Sequence, residues 1–114
     1  MLEIFEVGFE KRKMVEKWRE YVSKIAKACK EILGECEIYV FGSVAENKWT
    51  GGSDVDILII SNNTPSTSKE KAKIIATIEE KTNLPITHPF EIHLVTRKEA
   101  EWYWKHIKKA IKIV

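Results

Sequence analysis

Phe41-Gly42-Ser43, then ten residues, then Asp54-Val55-Asp56-Ile57-Leu58-Ile59-Ile60: one apolar run ends in a small turn, and two acids open the next run. Side chains alternate between the faces of a strand, so acids spaced i, i+2 point the same way. The Ile-Leu-Ile-Ile that follows has the continuous apolar character of a buried strand. Adjacent carboxylates at a strand end repel each other unless a proton or a cation neutralises them. Hard cations such as Mg²⁺ take carboxylate oxygens and keep phosphates as further ligands. A Gly-Ser turn offers backbone N–H groups and a hydroxyl that suit a phosphate. The combination points to metal-assisted chemistry on a nucleotide.

Outward from this stretch the pattern predicts helix, strand, strand, helix, strand, helix. Met14, Trp18, Val22, Ile25, Cys29, Ile32 and Leu33 recur at spacings near three and four, which predicts one amphipathic helix over 10–33 closed by Gly34. Residues 1–9 alternate loosely and are expected as an extended arm or edge strand. Residues 36–42 and 55–60 are the first two strands, joined by a turn or short helix and the loop Gly51-Gly52-Ser53. The polar run 62–68 is a loop, and Ser68 is placed to cap a helix over 69–81 that turns Ala72, Ile75, Ala76 and Ile78 inward. A third strand spans Phe90–Val95. Thr96 and Glu99 then form a Thr-x-x-Glu capping box for a last helix over 97–112, expected to bury Ala100, Tyr103, Ile107, Ala110 and Ile111. This order implies an α+β (α/β sandwich) fold, a small mixed sheet with packed helices, in a single domain spanning 1–114.

Composition sets bounds on function. Nineteen basic and seventeen acidic residues leave a formal charge of +2, too balanced to give a chain-wide field for nucleic acid, which is therefore not an expected partner. No apolar run approaches the roughly 18 residues of a membrane span, so no membrane partner is expected. Acids in Met-Leu-Glu-Ile-Phe-Glu occupy the place of a signal peptide's basic region, which makes a cytoplasmic location the expectation. Cys29 and Cys36 lack metal-motif spacing and are expected as reduced, packed thiols.

The Gly-Ser, ten-residue gap and acid-apolar-acid-apolar pattern resembles the nucleotidyltransferase superfamily that includes DNA polymerase beta. The chain's size narrows the likeness to the minimal nucleotidyltransferases, lone catalytic domains that often pair with a HEPN-type protein as the antitoxin of a toxin–antitoxin system. The resemblance covers residues 38–60 best and 90–95 less well. It implies transfer of a nucleoside monophosphate, AMP from ATP, to an acceptor hydroxyl on a partner protein. It also implies two Mg²⁺ ions held by Asp54, Asp56 and Glu91, with Glu91 as the base for the incoming hydroxyl. Gly42 and Ser43 would hold the triphosphate, and Ser53 would hydrogen-bond phosphate or orient Asp54. A HEPN-domain protein and a second copy of the chain are the macromolecular partners this reading allows.

Residues around the motif complete the reading. His93 shares a strand face with Glu91 and is expected as a hydrogen-bonded structural histidine. Where the family pattern continues with a small residue, Arg and Gly, this chain has Ala45-Glu46-Asn47, with Lys48 as a stand-in charge. That departure motivates the alternative of a weakly active or inactive antitoxin, or a nucleotide-binding module, that works by covering its partner. Trp49 either stacks on a base or packs under its loop. Trp102 and Trp104 cannot both face inward on one helix. With Lys105, Lys108, Lys109 and Lys112 nearby, they suggest a solvated basic face with one Trp in the core and one at a dimer or partner surface.

Overall fold

The computed structural model describes residues 4–114, with side-chain surroundings from Gly8 onward. In chain order the elements are α1 (Ile4–Glu16), α2 (Trp18–Leu33), β1 (Glu37–Phe41), β2 (Val55–Ile60), α3 (Ser68–Lys81), β3 (Phe90–Val95), α4 (Arg97–His106) and β4 (Ala110–Lys112). The strands form one mixed sheet in the order β3-β2-β1-β4. β1 runs antiparallel to both β2 and β4, whereas β2 and β3 are parallel, with α3 as their crossover. The expected α+β class and mixed sheet are thus present.

Alternation divides the sheet into two unlike faces. Ile38, Val40, Val55, Ile57, Ile59, Phe90 and Leu94 pack in one cluster with Met14, Val15, Val22, Ile25, Cys29, Leu33 and Ile78 from the helices. The opposite face is covered over part of its length only. There Leu58, Ile60 and Val95 pack with Ala100 of α4, flanked by Tyr39, Phe41, Tyr103 and Ile107.

Five expectations need correction. The long first helix is two helices, broken at Lys17 (φ −104°, ψ 27°). A straight helix over 4–33 would run about 45 Å, more than the molecule's longest extent of 40 Å, and the break folds buried Met14 and Val15 back onto the core. The expected N-terminal arm is helical from Ile4, while residues 1–3 lie outside the described residues. In α3 the cap is Thr67, whose side chain accepts from the Glu70 N–H, not Ser68. Ile74, Ile75 and Ile78 face the core, and Ala72 and Ala76 are exposed.

The largest correction lies at the C-terminus. The capping box of Thr96 and Glu99 forms as expected, but α4 stops at His106, and Ile107 is already extended (φ −84°, ψ 123°). Ala110 and Ile111, expected inside a helix, lie in β4, paired with Phe41 and Val40. The ladder continues through Ile38 N–H to Val114 C=O (3.1 Å) and Ile113 N–H to Ile38 C=O (2.8 Å). Ile111, Ile113 and Val114 are β-branched and suit a pleated surface. Their pairing also closes the edge of β1, which would otherwise leave backbone groups unpaired.

Candidate metal and phosphate site

The parallel register sets Asp56 opposite Glu91 and Leu58 opposite His93. In a parallel pair opposed residues share a face, so Asp56, Glu91 and His93 emerge together on the half-open face, with His93 against Tyr103 of α4. Antiparallel pairing sets Phe41 beside Asp56, and Gly42 follows at once. Gly42 has φ +77°, and a Cβ there would overlap Asp56 Oδ2. The left-handed backbone favours glycine, and the absence of a Cβ leaves room for the carboxylate oxygen against the turn.

His93 Nε2 lies 3.5 Å from Asp56 Oδ1 and 3.7 Å from Glu91 Oε1. One ligand atom from each of the three residues falls within 4.8 Å of the others. His93 Nε2 is buried and has no hydrogen-bond partner. An orphaned ring nitrogen between two carboxylates fits a cation, which would neutralise the acids and use the nitrogen's lone pair. On the far side of the ring, His93 Nδ1 is 3.3 Å from the Tyr103 hydroxyl. Burial pushes the Tyr103 phenol above its ordinary value of 10, so it stays protonated near neutrality.

The other expected site residues are placed differently. β2 begins at Val55, so Asp54 stands one residue ahead of the strand, where strand alternation does not fix its direction. Its side chain is half exposed and meets Lys11 of α1 at 3.8 Å. It lies beside the Asp56–Glu91–His93 group without being one of its three members. Ser53 accepts from the Thr50 N–H (2.8 Å), which ties its hydroxyl into the Gly51-Gly52 turn. Ser43 is half-buried next to Gly42, and its carbonyl accepts from the Lys48 N–H at 2.9 Å. The segment after it is a run of turns rather than a short helix, anchored by buried Val44 and Ala45.

Asn47, standing where the family pattern has Gly, has φ +57°. The loop therefore keeps a left-handed position there, which Asn tolerates better than most residues. Glu46, standing where the pattern has Arg, is 4.0 Å from Lys48 Nζ. A cleft of about 430 Å³ opens beside the carboxylates, lined by Gly42, Glu46, His93, Trp102, Tyr103 and Lys108 among others. Trp49 packs against the core; the exposed Trp102 lines this cleft, stacked on His106 with ring centroids 4.3 Å apart. Neither Trp102 nor Trp104 is in the core, contrary to the expectation for one of them; they are 60% and 41% exposed.

His93, expected as a hydrogen-bonded structural histidine, makes one such contact through Nδ1 to Tyr103, while its Nε2 faces the two carboxylates, on the strand face its i, i+2 spacing from Glu91 implies.

Carboxylates at the open end of a mixed sheet, beside a glycine turn, are an arrangement able to hold a cation and a phosphate together. Residues 22–113 match the nucleotidyltransferase domain family, and the chain belongs to that family. A solved structure described as a presumed nucleotidyltransferase is 27% identical, with a TM-score of 0.65 over 82% of this chain and 97% of its own. A second, from Sulfolobus solfataricus, is 17% identical with a TM-score of 0.57 over 93% of this chain and 85% of its own, a likeness of fold. No curated protein matches the chain. Helix α1, which carries Lys11 to Asp54, lies outside the matched range. No helix among the described residues is long and apolar enough to cross a membrane.

Proposed function

We propose that the protein transfers a nucleoside monophosphate, AMP from ATP, to an acceptor hydroxyl and releases pyrophosphate. The observation that carries this reading is the convergence of Asp56, Glu91 and His93 beside the Gly42 turn. Divalent cations, Mg²⁺ by family likeness, would be held by Asp56 and Glu91, with Asp54 available for a second ion once it leaves Lys11. When bound, the ions supply charge neutralisation for the triphosphate and the leaving pyrophosphate.

The chain's own groups do the rest. Gly42 and Ser43 present backbone N–H groups and a hydroxyl to the phosphates. The adjoining cleft accepts the nucleoside, with the Trp102 indole as a stacking surface for the base. The acceptor oxygen forms its bond to the α-phosphorus as the bond to the β-phosphate oxygen breaks. Pyrophosphate leaves with that electron pair. Glu91, whose side chain is 56% exposed, takes the hydroxyl proton on its carboxylate and passes it to water.

The acceptor in this proposal is a hydroxyl on a partner protein, a HEPN-type toxin by family likeness. One observation favours a second reading: the Trp102 and Trp104 side chains are exposed along α4, as a partner-covering antitoxin without turnover would require. Incubation of [α-³²P]ATP with Mg²⁺ and a lysate of the source cells separates the two. A labelled protein band given by wild type and lost in Asp54→Ala/Asp56→Ala supports transfer. Equal labelling by the double variant contradicts it. Partner capture by both proteins without label supports the second reading.

A further inference from the structure

We propose that His93 is a metal ligand through Nε2, making this an Asp/Glu/His centre that takes Mn²⁺ in preference to Mg²⁺. The inference rests on reading the site as a metal centre and adds a nitrogen donor to the carboxylates that the motif supplies.

Three observations carry it. The first is spacing. Ligand atoms bonded to a small divalent cation at about 2.1 Å sit about 3 to 3.5 Å apart. His93 Nε2 is 3.5 Å from Asp56 Oδ1 and 3.7 Å from Glu91 Oε1, too far for good hydrogen bonds and near the edges of such a shell. The second is the state of Nε2 itself: buried and unpartnered. A polar atom left so is costly unless a ligand completes it. The third is the far nitrogen. Nδ1 faces the Tyr103 hydroxyl at 3.3 Å. If Nδ1–H donates to the Tyr103 oxygen, the lone pair is left on Nε2, the tautomer a metal needs, and metal-binding histidines are generally held by such a partner. The ring is fixed by its neighbours: Phe41 and Tyr103 flank it with centroids 5.3 Å and 5.5 Å away.

The donor set then decides the ion. Mg²⁺ favours oxygen ligands in a strict octahedron and gives up water reluctantly. Imidazole nitrogen suits the first-row transition ions, and Mn²⁺ accepts carboxylate oxygen as well. Two carboxylates and one imidazole therefore favour a first-row transition ion such as Mn²⁺ over Mg²⁺. Tyr103 is a positioning residue, acting on the metal only through the ring.

Pulsed electron paramagnetic resonance on the full chain with Mn²⁺ tests this without reference to activity. The expected result is a ¹⁴N coupling from directly bound imidazole, replaced by a ¹⁵N coupling in histidine-labelled protein and absent in His93→Gln. Titration should show Mn²⁺ binding at least tenfold tighter than Mg²⁺. His93→Gln should weaken Mn²⁺ by about tenfold or more and Mg²⁺ far less. Tyr103→Phe should weaken Mn²⁺ severalfold while keeping the nitrogen coupling, as loss of an outer-shell partner does. Bound Mn²⁺ with no nitrogen coupling in wild type overturns the proposal, as does an unchanged Mn²⁺ affinity in folded His93→Gln. Because the readout is coordination, nitrogen coupling in a protein that transfers no nucleotide would sink the proposed function and leave this inference standing. Transfer without nitrogen coupling would do the reverse.

Discussion

The two faces of this sheet are built from the same four strands, and often from adjacent residues, yet they do opposite work. On one face Val55, Ile57 and Ile59 are fully buried under the helices. On the other, Asp56 precedes Leu58 and Ile60 along the same strand, and α4 covers the apolar pair and stops short of the acid. Period-two alternation thus lets one six-residue strand anchor the core and present a carboxylate. The covered face gives the rigidity that holds Asp56, Glu91 and His93 in register. The half-open face leaves room for phosphate and metal.

If that division holds, changes on the two faces should move different observables. The largest effect belongs to Asp56→Asn: nucleotidyl transfer should fall about a thousandfold or more, equivalent to roughly 4 kcal/mol of barrier. Its melting temperature should stay equal or rise, because one of two crowded carboxylates is gone. A large loss of stability in this variant would break the comparison. One residue on, Ile57→Ala should do the converse. It should lose about 2–5 kcal/mol of stability in urea titration, the usual cost of truncating a fully buried isoleucine, while the folded fraction keeps its metal affinity.

Gly42→Ala tests the seam between the faces. The left-handed backbone adds about 1–2 kcal/mol of strain for a residue with a Cβ, and that Cβ displaces Asp56 Oδ2. Transfer should fall more steeply than stability; equal losses would mean that the glycine serves only the turn. The last effect, the smallest of these at neutral pH and growing only above pH 9, concerns Cys29 on the covered side. Burial pushes its thiol up to about 12, and its neighbour Cys36 adds to the rise. The unfolded thiol loses its proton near pH 9 and the folded one only near 12, so the unfolded state binds fewer protons between those values. Stability should therefore fall as pH rises through that window, by about 1.4 kcal/mol per unit from this group. Denaturant titrations from pH 9 to 11 should show a shallower slope in Cys29→Ala; an identical slope would contradict the account.

What the sequence made legible follows the same divide. The first three strands were readable because a buried strand leaves a continuous or alternating apolar signature, and the Gly-Ser to Asp-x-Asp spacing located the open end of the sheet. β4 was not readable, because Ile107, Ala110 and Ile111 fit a helical period as well as a strand. Only the unpaired edge of β1, a long-range feature, decides between them. The break at Lys17 was hidden for a similar reason: local periodicity continues through it, and the bend goes with the long-range packing of Met14 and Val15 in the core. At the site, the parallel register sets Asp56 and Glu91 on one face, as Glu91 would need to act as a base. Asp54 did not join their cluster, since the strand begins one residue after it and Lys11 holds its side chain. The spacing from Glu91 gave the face of His93, but the buried, unpartnered Nε2 on which its proposed ligand role rests is something no sequence pattern displays.

The most direct test of the central claim is an anomalous-difference map from crystals grown with Mn²⁺ and a non-hydrolysable ATP analogue. The account predicts a Mn²⁺ peak between the Asp56 and Glu91 carboxylates, with the analogue's phosphates against the Gly42-Ser43 turn. A peak elsewhere on the surface, or ordered phosphates away from that turn, would contradict it.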